Sequence, residues 1–206
     1  MISPLLANIY LNPLDHLLCE SGHRLIRYAD DMVVLCRSRK EADEVYGLLE
    51  KWLRANGLGL HPDKTCIVDL NEREAYVDFL GYRFKRTKGR GELRCYPSKP
   101  NITRLHHKLK PLLRRTNGKS LEEIIRQLNR KLRGWFEYFK HTSPYAFNDV
   151  DRWLRMRLRS ILRKRQKKRG RGRGSDHQRW PNAYFAERGL FSLTIAHDEV
   201  DQSTRW

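Results

Sequence analysis

Near residue 98 the hydrophobic pattern of the chain changes its period, and this constrains the fold more than any single motif. Downstream, apolar residues recur at three- and four-residue spacing: Leu105, Leu109, Leu112 and Leu113, then Ile124, Ile125, Leu128, Leu132, Trp135, Phe136 and Phe139, then Val150, Trp153, Leu154, Leu158, Ile161 and Leu162. Each stripe predicts a helix with one buried face. Ser120-Leu121-Glu122-Glu123 is a capping box for the second, and the third starts near Ser143-Pro144. Upstream, short apolar runs alternate with turn residues. A helix is expected over 3–18, with Ser3 as N-cap, Pro4 as first helical residue, and Leu5, Leu6, Ile9, Tyr10, Leu14, Leu17 and Leu18 as its apolar positions. RLIRY and MVVLC, flanking Ala29-Asp30-Asp31, predict a tight β-hairpin. A capping box at Ser38–Glu41 opens a helix that carries Val45, Leu48, Leu49, Trp52 and Leu53 and stops at Gly57. Beyond it, GLGLHPDKTCIVDL predicts two short strands, and VDFLGYRF and ELRCY one strand each, joined by the basic turn KRTKGRG. The fold class is α+β, with a sheet-containing part over 1–97, a helical part over 98–175 and an irregular tail over 176–206. The run 167–176 reads as a flexible basic loop.

Charge divides at the same place. Residues 1–97 hold 15 Lys/Arg and 14 Asp/Glu, and residues 98–206 hold 27 and 10. A near-neutral front joined to a strongly basic back points to a polyanionic partner, above all nucleic acid. Between Asp151 and Asp176 there are 12 Lys/Arg and no acids. Arg152, Arg155, Arg159 and Arg163 fall at helical spacing, so a shared face is expected to offer guanidinium forks to phosphates, with Lys164 beside it. Trp135, Phe136 and Phe139 are expected in the core, and Tyr138 nearer the surface.

Cys19, Cys36, Cys66 and Cys95 include no C-x-x-C pair, so buried free thiols in a reducing compartment are expected. His106-His107 reads as helix surface rather than a zinc site. No signal peptide and no apolar run of membrane-spanning length is visible, which places the chain in the cytoplasm as an expectation.

Asp30 and Asp31 put two like charges inside an apolar run. Such a pair is costly unless a cation sits there, and Mg²⁺ takes one or two carboxylates while keeping water and phosphate oxygens as its other ligands. Two such ions can clamp the attacking and leaving oxygens of a phosphoryl transfer.

The ordered segments S-P-L-L-A-N-I-Y-L-N-P-L-D, R-Y-A-D-D-M-V-V-L, G-L-x-L-x-P-x-K-T and F-L-G-Y-x-F resemble four successive palm motifs of the reverse transcriptases encoded by group II introns. R-G-W-F-E-Y-F (133–139) resembles the signature of their thumb, or maturase, domain, and N-A-Y-F-A-E-R-G-L-F-S-L (182–193) is similar to the tail of bacterial members. The resemblance implies a partial palm followed by an all-helical thumb/maturase domain. It also implies an RNA-directed DNA polymerase with a two-metal Mg²⁺ site, acting with group II intron RNA and a DNA target or primer. Asp30 and Asp31 match the metal-binding aspartates, and Lys64 the lysine facing the pyrophosphate leaving group. Tyr28 matches the tyrosine beside primer end and nucleotide, and it reads equally as a packed strand aromatic. Phe79, Leu80 and Gly81 match the primer-grip strand, where Gly81 permits close backbone approach or marks a bulge.

The family's upstream catalytic aspartate, its P-Q-G stretch and its fingers have no counterpart after Met1. Asp15, Asp63 and Asp69 are not convincing substitutes. The expectation is that the chain alone does not polymerise DNA and that the hairpin exposes a sheet edge where an N-terminal fingers and palm portion would pair. Two functions stay open: part of an RNA-copying enzyme, or a maturase or remnant that only binds and folds intron RNA.

Overall fold

The computed structural model describes residues 3–87, 91–170, 172 and 174–204. It divides into two compact units, one ending at Leu93 and the other beginning at Arg94.

In the first unit, α1 (Ser3–Glu20), the strands β1 (Arg24–Tyr28) and β2 (Asp31–Leu35), and α2 (Arg39–Ala55) share one core. Leu11, Leu14 and Leu18 of α1 pack with Val45, Leu49 and Leu53 of α2, and Leu25, Met32, Val34 and Cys36 close the cluster from the hairpin. Each such side chain stabilises the unit by about 1.5–3 kcal/mol. The apolar face expected for α1 is only half used, because Leu5, Leu6, Ile9 and Tyr10 lie exposed. Its apolar residues span too wide an arc of the helix to face a single core, and the Leu11–Leu14–Leu18 arc is the one that meets α2. The expected cap at Ser38 forms, with Ser38 Oγ accepting from Glu41 N at 3.1 Å, but the return bond of the box shifts by one residue: Glu41 Oε2 accepts from Arg37 N at 2.7 Å. Gly57, at φ +70°, follows the C-cap Asn56 and ends the helix.

Two expected strands within 57–70 do not form. That stretch is irregular, with a turn at 62–64, since Pro62 and the two glycines deny it a ladder. VDFLGYRF is a hairpin rather than one strand. β3 (Val77–Phe79) and β4 (Tyr82–Arg86) pair antiparallel with Phe79 opposite Tyr82. Leu80 (φ +49°) and Gly81 (φ +81°) make the two-residue turn, the left-handed pair that suits a twisted hairpin. β5 (Leu93–Pro97) begins at the boundary between the two units. The expected basic turn KRTKGRG lies partly outside the described residues.

The second unit is helical: α3 (Lys99–Leu109), α4 (Leu121–Phe139), α5 (Tyr145–Arg165), α6 (Gly174–Arg179), α7 (Asn182–Ala186) and α8 (Leu193–Thr204). Ser120 caps α4, its Oγ accepting from Glu123 N at 3.1 Å. Leu105, Leu109, Ile124, Leu128, Leu132, Phe136, Phe147, Leu154 and Leu158 are buried. The segment expected as an irregular tail is instead part of this core. Trp180, Phe185, Leu193 and Ala196 are buried; Trp180 lies between α6 and α7, and those two helices are too short to show a sequence period. The expected loop 167–176 likewise ends in α6, with Asp176 buried. No helix among the described residues is long and apolar enough to cross a membrane.

Candidate active site and nucleic-acid interface

In the first unit, β1 and β2 pair with Tyr28 opposite Asp31, so Ala29 and Asp30 form the turn between them. Ala29 sits at φ +54°, an uncommon conformation for a residue with a side chain. An arginine fastens this turn. Arg27 Nε donates to Asp15 Oδ1 at 2.7 Å and Nη2 to Asp15 Oδ2, so the α1 carboxylate is gripped by a fork. Nη1 donates to Asn8 Oδ1 at 2.9 Å and to the Ala29 carbonyl at 2.8 Å. The bond to Asp15 holds the Arg27 guanidinium more firmly protonated than usual. Sequence reasoning did not single out Arg27. The available signal was strand alternation, which turns Leu25 and Arg27 to the side of the core, and Asp15 one turn after Leu11.

Asp30 and Asp31 are exposed, and neither carboxylate forms an ion pair or hydrogen bond with any described residue. Tyr28 is 67% exposed and Ile26 50%; by register both share a strand face with Asp31. β1 and β2 form a two-stranded sheet of their own. Lys64 lies exposed in the 62–64 turn, its amide bonded to His61 O at 3.1 Å, and no described contact joins it to either aspartate. Phe79, Leu80 and Gly81 stand at the β3–β4 turn, so Gly81 serves a turn rather than a strand interior.

Two adjacent, unpartnered carboxylates on a pinned turn are a donor set that fits a hard, oxygen-seeking cation with water and phosphate completing its shell. Among the described residues no group of three or more His, Cys, Asp or Glu side chains gathers as a metal cage.

In the second unit the α5 arginines do not form one exposed row. Arg152 is open, 3.9 Å from Asp149. Arg155 lies half-buried, 3.9 Å from Asp151. Arg159 is buried: Nε donates to Trp180 O at 2.9 Å, Nη2 to Asn182 Oδ1 at 2.8 Å, and the guanidinium lies over the Phe185 ring. Burial, with help from the nearby Arg155 charge, lowers its proton affinity. Arg163 donates to Asp176 Oδ2 at 2.7 Å and to Arg169 O at 2.8 Å. Arg157 donates to Leu113 O at 3.1 Å, and Arg165 to Lys119 O. Lys164 is exposed. The shared phosphate-binding face expected for Arg152, Arg155, Arg159 and Arg163 is therefore corrected. Four-residue spacing predicts a common side of a helix, but in α5 that side meets α6, α7 and their loops, and guanidinium forks there satisfy carbonyls that would otherwise be buried without donors.

Exposed cations lie elsewhere. On α3, Lys99, Arg104 and His107 line a depression of about 630 Å³ with Pro100 and Thr103. On α4, Arg126, Arg130, Lys131 and Arg133 are exposed. Phe136 and Phe139 are buried and Tyr138 is 53% exposed. His106 is not simple helix surface, for its ring stacks on Trp153 with centroids 4.1 Å apart. Burial first, then the charges of Lys110 and His107, lower its pKa. All four cysteines are free, but none is fully buried.

Two family models match the chain: a reverse transcriptase (RNA-dependent DNA polymerase) over residues 1–84, and the group II intron maturase-specific domain over residues 102–180. No curated protein matches it. The first match contains the aspartate hairpin, the second contains α4 and α5, and together they take in most of both units. The chain belongs to the group II intron reverse transcriptase/maturase family.

Proposed function

We propose that the chain binds group II intron RNA through its helical unit and aids folding of that RNA for splicing. The observation that carries this reading is the set of exposed cations on α3 and α4, all but Lys99 inside the maturase-specific match, on a half-chain that holds 27 Lys/Arg against 10 Asp/Glu. Such a surface releases counterions when it meets a phosphate backbone, so affinity falls steeply with salt.

A second reading rests on the unpartnered aspartate pair inside the reverse transcriptase match. Asp30 and Asp31 would hold Mg²⁺, with Arg27 keeping the turn in place and Tyr28 offering an exposed ring on the face of Asp31. When bound, Mg²⁺ supplies electrostatic stabilisation of a transferring phosphoryl group. Lys64 supplies positive charge for the triphosphate only if that turn approaches the hairpin. Nucleotidyl transfer onto a DNA primer, and with it intron mobility, requires a further carboxylate beyond those the described residues bring together.

Binding of structured intron RNA and of an equally long unrelated duplex RNA, each over a salt series, tests the first reading. Preference for intron RNA, with a slope that flattens in a Lys99/Arg104/Arg152→Ala variant, is expected. Equal affinity for both RNAs, or an unchanged slope, rejects it. Primer extension on an RNA template with Mg²⁺ is expected to yield no product from the chain alone.

A further inference from the structure

Two glycines stand in the interior of long helices with their Cβ positions facing open space: Gly47 in α2 and Gly134 in α4. Both are exposed, neither needs a left-handed backbone, and beyond the helix's own backbone and the chain neighbours no described atom within 4 Å would meet an added methyl. An interior helical glycine weakens its helix relative to alanine. Nothing within the fold explains that loss at either position. Their surroundings differ. Beside Gly47 most charges pair along the helix, Arg39 with Asp43, Lys40 with Glu44 and Arg54 with Glu50, which leaves Lys51 as a single open cation. Gly134 has Arg130 and Lys131 one turn before it, exposed and without any bonded partner among the described residues. One turn after it stand Tyr138, half-exposed, and Glu137, whose charge is met by Lys140 at 2.9 Å.

We propose that the sugar-phosphate backbone of bound RNA crosses α4 at Gly134, where the missing side chain admits it to the helix backbone while Arg130 and Lys131 meet its phosphates. The inference rests on the RNA-binding reading and adds to it the place of closest approach. Glycine's other common use is to let two backbones or a ligand come close, and on this solvent face none of the described residues takes that room. A protein partner fits less well. The flanking cations are unpaired and of one sign, and α4 presents no apolar anchor there apart from Tyr138.

The test sets helix stability against RNA affinity, which a merely structural glycine would not separate. Thermal unfolding and intron-RNA binding are measured for wild type, Gly134→Ala, Gly47→Ala and Arg130→Ala/Lys131→Ala. Both glycine variants should gain about 2–5 °C in Tm, because alanine favours the helix. Gly134→Ala alone should then weaken RNA binding, by about fivefold or more, despite being more stable. The double cation variant should weaken binding and lower the salt slope by about one to two. If Gly134→Ala binds RNA as wild type does while Arg130→Ala/Lys131→Ala does not, the close approach at Gly134 is wrong and the RNA reading survives. If wild type itself shows no salt-dependent RNA binding, both fall. Equal loss in Gly47→Ala also overturns the proposal, since the effect would then come from helix stiffness.

Discussion

Asp151 on α5 caps α8. Its carboxylate accepts from Ser192 Oγ at 2.7 Å and from the amides of Leu193 and Thr194 at 3.2 Å each. A helix N-terminus leaves its first amides without intrahelical partners and carries partial positive charge, so a buried carboxylate from a neighbouring helix satisfies both demands. Asp151 is only 2% exposed, and Arg155 lies 3.9 Å away. Asp151→Ala should cost about 1–3 kcal/mol, because the α8 amides are left unsatisfied. Urea denaturation measures it, and a variant as stable as wild type would show that α8 docks through Leu193 and Ala196 alone.

Arg159 and Arg152, about two turns apart on α5 and alike in chemistry, should behave as opposites. Arg159→Met strands the Trp180 carbonyl and loses about 2–3 kcal/mol. Arg152→Ala should stay within about 0.5 kcal/mol of wild type. Paired melting curves decide this.

The Arg27 fork predicts a sharp difference between two cations. Arg27→Lys keeps the charge but cannot reach Asp15, Asn8 and Ala29 O together. Amide hydrogen exchange around Ala29–Asp31 should speed up in that variant, with about 1–2 kcal/mol lost from the first unit. Unchanged exchange would mean that the strand ladder alone holds the turn.

Asp30→Asn/Asp31→Asn should abolish Mn²⁺-induced paramagnetic broadening of the Tyr28–Asp31 amides, Mn²⁺ standing in for Mg²⁺. Stability should change by less than about 0.5 kcal/mol, since neither carboxylate has a partner to lose. Broadening that persists would place the cation elsewhere.

His106 gives a pH dependence of known sign. Burial against Trp153 holds its folded pKa below the ordinary 6.5. The unfolded chain therefore takes the proton first as pH drops. The contribution is fully present above about 6.5 and is lost as pH falls through the lower folded value. His106→Phe, which keeps a ring on Trp153, should flatten stability across that window. An unchanged pH profile would assign the acid sensitivity to other groups, among them Glu41, whose pKa is lowered by its bond to the Arg37 amide and whose window lies below the ordinary 4.5.

Local chemistry made much of this protein legible in its sequence. Ser38 and Ser120 specify their caps because the bonds they make span three residues, and the leucine stripes specify the long helices because a 3.6-residue period must put one face inside. The aspartate hairpin was legible for the same reason, two strand-like runs separated by a turn. What stayed hidden depended on partners far along the chain. Arg159 and Arg152 are the same residue type on the same helix, and only the docking of Trp180 and Asn182 makes one structural and leaves the other open. Arg27 became a turn clamp only because α1 brings Asp15 beside β1. Periodicity says that a helix has two sides, and tertiary packing decides which charges on them meet carbonyls and which remain free to meet a phosphate.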